Sequence, residues 1–341
     1  MEHTVNMDFG GKRIFVTGAD GFIGSHLTEA LVRAGADVTA LALYQGMDDY
    51  GWLEDIDPKI RDNLNMIRGD VRDPAMMLRL VANQDIVFHL AALIGIPHSF
   101  VAPFSYIDVN VTGTANILEA ARTHSTQRII NTSTSEVFGS AQTIPITESH
   151  PLVAQSPYAA SKIAADKLAE SYALSFELPV VTLRPFNTYG PRQSERAVIS
   201  TVIRQALDPK CESITLGDTT PVRDFNFVDD TVSAFLAIGT TDKIDFGVPY
   251  NAGSGVGVTI GEMVDMICDI TGTNKPTVFD EQRIRPANAE VKALIADASL
   301  MTEATGWQSS INLQSGLTST VDWWRDRIAS GHLRNDAHYM V

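Results

Sequence analysis

The sequence predicts an α/β protein, a doubly wound parallel sheet with a smaller C-terminal lobe, and three observations carry that expectation. Six apolar runs, RIFVTG, DVTALAL, NMIRGD, DIVFHLAA, RIINTS and VVTLRP, are continuous rather than alternating, as strands buried on both faces of a parallel sheet are. Between them SHLTEALVRAG, PAMMLRLVA, NVTGTANILEAART and SPYAASKIAADKLAESYALSF carry helical periodicity, so strand and helix alternate. Past about residue 190 the alternation loosens into GPRQSERAVISTVIRQAL, the short runs SITLG and FNFVDD, and a helix around TIGEMVDMICDITG. The division is placed with the main sheet domain in residues 1–185 and the second lobe mainly in 186–341, some of whose strands and helices return to the first. LTSTVDWWRDRIA closes the chain as an amphipathic helix that docks Trp323 and Trp324 as packing.

With 341 residues, 44% of them hydrophobic, the chain has enough apolar material for one large core or two unequal ones. Lys and Arg total 26 against 41 Asp and Glu, a net charge of -15, which repels nucleic acid polymers and anionic membranes. A small phosphorylated ligand stays compatible with that charge, because local arginines and helix N-termini act at short range. Cys211 and Cys268 lie far apart, so neither a disulfide framework nor a cysteine metal site is expected. The polar opening MEHTVNMDFGGKR has no apolar signal core, and a cytoplasmic location is the expectation. The histidines show no zinc-binding spacing, and His89 in DIVFHLAA reads as a strand residue; no metal is expected.

VTGADGFIGSHL places Gly18, Gly21 and Gly24 directly after a strand and before a helix. Glycine suits this turn because a Cβ obstructs both the tight bend and the approach of a pyrophosphate to the unpaired N–H groups of the helix N-terminus. The context points to a dinucleotide and a Rossmann sheet. Asp70 in GDVRD follows a later strand and is a candidate acceptor for an adenine amino group.

Two further stretches carry chemistry. In TSTSEVFGS, at the end of RIINTS, Glu136 follows the hydroxyls of Thr134 and Ser135 and either does chemistry or caps the following turn. In SPYAASK, Tyr158 and Lys162 stand at i and i+4 on one helix face, with Ser156 and Pro157 suited to the N-cap and first turn. A nearby ammonium and an oxidised nicotinamide both favour the phenolate, which makes Tyr158 a usable base.

From about Lys12 to Arg327 the chain resembles the extended short-chain dehydrogenase/reductase family, through TGADGFIGSHL, GDVRD, HLAA, NVTGT, STSEVFG, SPYAASK, RPFNTYGPR, VRDFNFVDD and RPANAEV. The resemblance implies a nucleotide-sugar enzyme with a tightly held NAD(P) and a catalytic core of Thr134, Tyr158 and Lys162. It implies a cofactor pocket of Gly18, Gly21, Phe22, Ile23, Gly24, Asp70, Val71, Leu90, Ala91 and Ala92, together with Tyr158 and Lys162. It places Ser135, Asn187, Arg192, Arg223 and Arg285 on the substrate, the arginines on its diphosphate, a task their planar fork suits.

Epimerase, dehydratase and decarboxylase all occur in that family. A 4-epimerase moves hydride out and back and has no mechanistic need of an acid at 136. A 4,6-dehydratase needs a base for the C5 hydrogen once C4 is a ketone, and Glu136 is the candidate for removing that proton and passing it to the departing C6 oxygen. The Thr-Ser-Glu triplet is similar to that of GDP-mannose and related 4,6-dehydratases, and it occurs in UDP-glucuronate decarboxylases as well. The dTDP-glucose branch has Asp where this chain has Ser135. LYQGMDDYGWLEDI, RPFNTYGPRQSERAVIST and RIRPANAEVKALIADAS resemble the N-acetylglucosamine 4,6-dehydratases of legionaminic-acid biosynthesis, which implies service to a cell-surface polysaccharide. UDP- or GDP-N-acetylglucosamine is thus the expected substrate. A decarboxylase, a 4-epimerase and a dinucleotide-binding module without catalysis stay open as alternatives.

NAD-specific relatives usually carry an acid at the end of the second strand, where this chain has Ala42, and neither Leu43 nor Tyr44 supplies the arginine of an NADP pocket. NAD is the expected cofactor, with NADP open. The resemblance implies a homodimer through the helices containing NILEAAR and YAASKIAADKLAE. In HLAALIGIPHSF, Leu93, Ile94 and Ile96 offer an apolar lining suited to an acetamido methyl.

Overall fold

The computed structural model describes residues 8–46, 49–281 and 291–331. Six strands stand where the apolar runs put them: β1 (Arg13–Thr17), β2 (Asp37–Leu43), β3 (Leu64–Gly69), β4 (Ile86–His89), β5 (Arg128–Thr132) and β6 (Val180–Pro185). The second lobe contributes β7 (Asn187–Tyr189), β8 (Ile214–Leu216), β9 (Val222–Phe227), β10 (Pro249–Ala252), β11 (Gly257–Thr259), β12 (Thr277–Phe279) and β13 (Ala293–Leu294). The main sheet is parallel and ordered β10-β6-β5-β4-β1-β2-β3, so β10 returns to it from the second half of the chain. The order reverses between β1 and β4, which puts a crevice beyond Thr17 and His89, the place where open α/β sheets take ligands.

Both faces of this sheet are covered. Ile14 and Val16 pack into one core with Leu27, Phe88 and Phe235, while Phe15 between them packs into another with Val87, Ile117, Leu118 and Ile129. This is the period-two alternation of a strand with two buried faces. The first core runs on into the second lobe through Tyr189, Phe227, Trp307 and Trp324. Helix starts are set by local chemistry. Asp73 accepts from Met76 N before the helix Pro74–Val81, Ser156 accepts from Ala159 N before Pro157–Phe176, and Thr259 and Glu262 form a capping box before Ile260–Thr271.

A second, four-stranded sheet holds β11, β9 and β13, with β7 paired to the other part of β9. It is fastened by two buried acids. Asp224 of β9 accepts from Ser254 N, Ser254 Oγ, Gly255 N and Ala296 N, and Asp230, in the first turn of the helix Val228–Thr240, accepts from Ser310 and Ile311 N–H groups and two serine hydroxyls. No described helix is long and apolar enough to cross a membrane.

Three features depart from the sequence expectation. HLAALIGIPHSF and the residues after it are helical over Ile96–Val101 and Pro103–Tyr106, and the next turn, Ile107–Thr112, is widened to a π-helical one. In FNFVDD the strand stops at Phe227, because Val228 already starts a helix. Of the two tryptophans, Trp324 is buried whereas Trp323 is half-buried, edge-on to Trp52, with the Arg327 guanidinium over both rings.

Candidate active site

The turn after β1 is built for close approach. Gly18 has φ +67°, and a Cβ on it would stand 2.8 Å from Ala91 N. A Cβ on Gly24 would lie 2.0 Å from Gly18 O, so the helix Phe22–Arg33 starts tight against the turn. Gly21 is its N-cap and offers no side-chain cap, which leaves the N–H groups around Phe22 and Ile23 for an anion. Thr17 Oγ1 accepts from both Leu90 N and Ala91 N at 3.1 Å, tying the ends of β1 and β4 together, and Ala92 continues from them. His89 lies beneath, with Nδ1 2.8 Å from Thr17 Oγ1 and Nε2 3.1 Å from Thr114 Oγ1. Thr114 donates onward to Asn110 O, so Nε2 carries the proton and His89 is neutral, its pKa pushed down to about 3 by burial. His89 is a packed strand residue, in keeping with the sequence. A cradle that a Cβ would fill, facing a helix N-terminus, fits the pyrophosphate of a dinucleotide.

Just after β3, the Asp70 carboxylate is bound by Arg72, whose Nε lies 3.0 Å from each oxygen, and this partner lowers its pKa. Val71 is buried against Gly113, and its carbonyl accepts from Asn116 Nδ2.

At the end of β5 the cap of the following turn comes from the neighbour of Glu136. Thr134 Oγ1 accepts the Glu136 N–H at 3.2 Å and is the cap of the short turn Ser135–Phe138, in which Ser135 is buried. The Glu136 side chain makes no hydrogen bond or ion pair with any described residue, and its charge acts on Tyr158. The Thr134 hydroxyl also acts on the Tyr158 phenol, in the direction that stabilises the phenolate. Tyr158 is buried, its ring edge-on to Tyr106 at 6.3 Å. Lys162 Nζ donates to Thr132 O at 2.6 Å; burial brings its pKa down to about 8, against the opposing pull of Asp166 one turn on.

The side chains alone do not bring Tyr158 toward neutral pH. Burial is the largest influence and raises its pKa, the charges of Glu136 and Asp166 add to the rise, and the Thr134 hydroxyl only opposes it.

Several positioning residues escaped the sequence reading. Asn110, in the π-helical turn, accepts from Leu93 N and donates to Leu93 O and Ser161 Oγ, while Ser161 Oγ donates to Tyr158 O. It therefore locks the loop after β4 to the helix bearing Tyr158. Asp166 accepts from Ser133 Oγ at 2.8 Å and pairs with Arg184 at 3.0 Å, both buried, which fixes that helix to the ends of β5 and β6. Only NVTGT hinted at the first network, and nothing local marks the second.

The residues expected on the substrate are placed unequally. Asn187 lies on β7 with its buried Oδ1 free of hydrogen bonds, and Arg223 lies buried on β9, donating to Val222 O. Arg192 stands at φ +67°, paired with Glu29 at 2.6 Å and 3.3 Å from Ser25 Oγ, both on the first helix. A diphosphate would have to draw it from that buried partner. Arg285 lies outside the described residues. Leu93 and Ile96 are half-buried, and Ile94 is exposed.

Residues 15–320 match the model of the GDP-mannose 4,6 dehydratase family. The UDP-glucose 4-epimerase of Mycolicibacterium smegmatis is 31% identical, over 92% of this chain and 99% of its own. A dTDP-glucose 4,6-dehydratase of Streptomyces griseus is 32% identical, over 94% and 98%. The crystal structure of the dTDP-glucose 4,6-dehydratase DesIV from Streptomyces venezuelae, which has NAD bound, superposes with a TM-score of 0.83 at 28% identity, covering 93% of this chain and 98% of that one. With its glycine turn, its Tyr158/Lys162 helix and this match along nearly its whole length, the chain belongs to the GDP-mannose 4,6 dehydratase family, among the extended short-chain dehydrogenase/reductases that act as nucleotide-sugar dehydratases and epimerases.

Proposed function

We propose that the protein is a 4,6-dehydratase that uses NAD and converts UDP- or GDP-N-acetylglucosamine to the 4-keto-6-deoxy sugar nucleotide. The observation that carries this reading is the Glu136 carboxylate, released from capping by Thr134 and close enough to Tyr158 for its charge to raise the phenol pKa. NAD, when bound, supplies the hydride acceptor for C4, the later hydride donor for C6, and a positive charge that lowers the Tyr158 pKa. Gly18, Gly21 and Gly24 hold it, with Phe22, Ile23, Asp70, Val71, Leu90, Ala91 and Ala92 around it.

Tyr158, as the phenolate, takes the proton of the C4 hydroxyl and becomes the phenol, and the Thr134 hydroxyl stabilises the phenolate beforehand. Lys162 supplies a cation on the same helix face, and Asn110 and Asp166 keep that helix in place. Glu136 removes the C5 proton, acidic once C4 is a ketone, and delivers a proton to the oxygen leaving C6, so water departs without a separate acid at Ser135; after C6 is reduced, a solvent-derived proton returns to C5. Asn187, Arg223 and Arg285 hold the nucleotide diphosphate. Leu93, Ile94 and Ile96 face the acetamido group, a lining that leaves a sugar carboxylate unpaired, at a cost of several kcal/mol. Residues 1–185 serve mainly the cofactor and 186–341 mainly the sugar nucleotide. A homodimer through the helices Gly113–His124 and Pro157–Phe176 belongs to the same proposal.

The 4-epimerase relative supports a second reading, in which the ketone is reduced again at C4. Incubation with UDP- and GDP-N-acetylglucosamine, GDP-mannose, dTDP-glucose and UDP-glucuronate, followed by product mass, separates the readings: one water lost for a dehydratase, unchanged mass for an epimerase, carbon dioxide lost for a decarboxylase.

A further inference from the structure

Ala42 brings a methyl group to the end of β2, so the carboxylate that binds an adenosine ribose from this position in many dinucleotide folds is missing from its usual place. A carboxylate reaches the same strand end from elsewhere. Asp20, inside the glycine turn, accepts the N–H of Leu43, the last residue of β2, through Oδ2 at 3.1 Å. We propose that Asp20 replaces the missing strand-terminal acid, accepting the adenosine ribose hydroxyls and selecting NAD over NADP. The proposal rests on the reading of the glycine turn as a dinucleotide site.

Three observations carry it. The position of Asp20 is fixed from two sides: its carboxylate is held by Leu43 N, and its carbonyl accepts Trp52 N at 3.1 Å. Gly51, at φ +56°, lies so close that a Cβ there would stand 2.8 Å from that carbonyl. The carboxylate is also short of donors for its depth. Burial raises its pKa, only backbone N–H groups oppose the rise, and a ribose diol adds the O–H donors that a desolvated carboxylate lacks.

The third observation is the local charge. Asp49 is near enough to push the Asp20 pKa up further, and two carboxylates beside the ribose position repel a 2′-phosphate. On the neighbouring strand Arg68 pairs in register with Ala42, but its guanidinium is stacked over the Tyr50 ring at 4.1 Å. The expectation of NAD, which Ala42 leaves without a residue to support it, thereby gains one.

The test is the dissociation constant of NAD and of NADP, measured by calorimetry on the wild-type protein and on Asp20→Asn after removal of any co-purifying nucleotide. Asparagine keeps an oxygen for Leu43 N and loses the charge, so the tether survives the substitution; the thermal midpoint without nucleotide confirms this by staying within a few degrees of wild type. The wild type is expected to bind NAD at least about tenfold more tightly than NADP. Asp20→Asn is expected to weaken NAD by about tenfold, the effect of one lost hydrogen bond to a charged group, while NADP binding holds or improves. Equal weakening of both nucleotides, or a wild type that prefers NADP, overturns the assignment and leaves Asp20 as a tether. A wild type that binds neither nucleotide overturns the dinucleotide site itself.

Discussion

Thr134 Oγ1 accepts the backbone N–H of Glu136 at 3.2 Å, and the same hydroxyl opposes the rise that burial imposes on the Tyr158 pKa. One side chain thus closes the turn, leaves the neighbouring carboxylate out of the cap and favours the phenolate. Substituting Glu136→Gln separates these roles. The variant is expected to oxidise C4, seen as nicotinamide absorbance on adding substrate, yet to lose dehydration and the exchange of the C5 hydrogen with deuterated water. Wild-type exchange and turnover would remove Glu136 from the mechanism.

Tyr158→Phe removes the base that starts the sequence. It is expected to lower kcat by about 10² to 10⁴-fold and to abolish the transient nicotinamide absorbance as well, which distinguishes it from Glu136→Gln. A variant that still accumulates reduced cofactor at the wild-type rate would assign C4 oxidation to another group.

Lys162 has its pKa pulled down to about 8 by burial, so its ammonium is lost as pH rises past that value. The kcat/KM profile is expected to fall on the alkaline side with a midpoint near pH 8. In Lys162→Arg, whose guanidinium does not titrate in this range, whatever activity is left should show no such limb.

Stability toward acid is expected to depend on two histidines. Burial lowers the His89 pKa to about 3 and the His26 pKa to about 4, from an ordinary value of 6.5. Both folded values lie below the unfolded one, so the unfolded chain binds protons that the native protein refuses. Stability is therefore complete above pH 6.5 and is lost as pH falls toward 4. With two protons linked, the slope near pH 5 to 6 approaches about 2.7 kcal/mol per pH unit, measurable by urea unfolding at a series of pH values. His89→Asn is expected to halve that slope.

Gly24→Ala places a Cβ against Gly18 O at 2.0 Å. The turn or the helix must shift, at about 1 to 3 kcal/mol of stability. NAD affinity is expected to fall by more than the stability loss alone explains, because the same shift moves the pyrophosphate cradle. Calorimetric titration beside thermal unfolding checks both.

Strands β1 to β6 of the main sheet were legible because they are packed between two helical layers, which writes them into the chain as continuous apolar runs. The glycine turn and the Tyr158/Lys162 pair were legible because each sits within a few residues of sequence. The strands β10 to β13 span only two to four residues and take their form from their partners, so propensity carries no sign of them. The Arg184–Asp166 pair and the hold of Asn110 on Leu93 join residues separated by 18 and 17 positions, and the contact of Asp20 with Leu43 spans 23. Such contacts are made by the fold and leave no local pattern. Arg192 shows the converse limit. Its motif suggests a phosphate, whereas the fold has given it Glu29 as a partner.

The most direct test of the central claim is the mass and isotope content of the product formed from UDP- or GDP-N-acetylglucosamine in deuterated water. Dehydration by Glu136 predicts a sugar nucleotide lighter by one water and carrying one deuterium at C5. A product of unchanged mass, inverted at C4 and free of deuterium at C5, would contradict it.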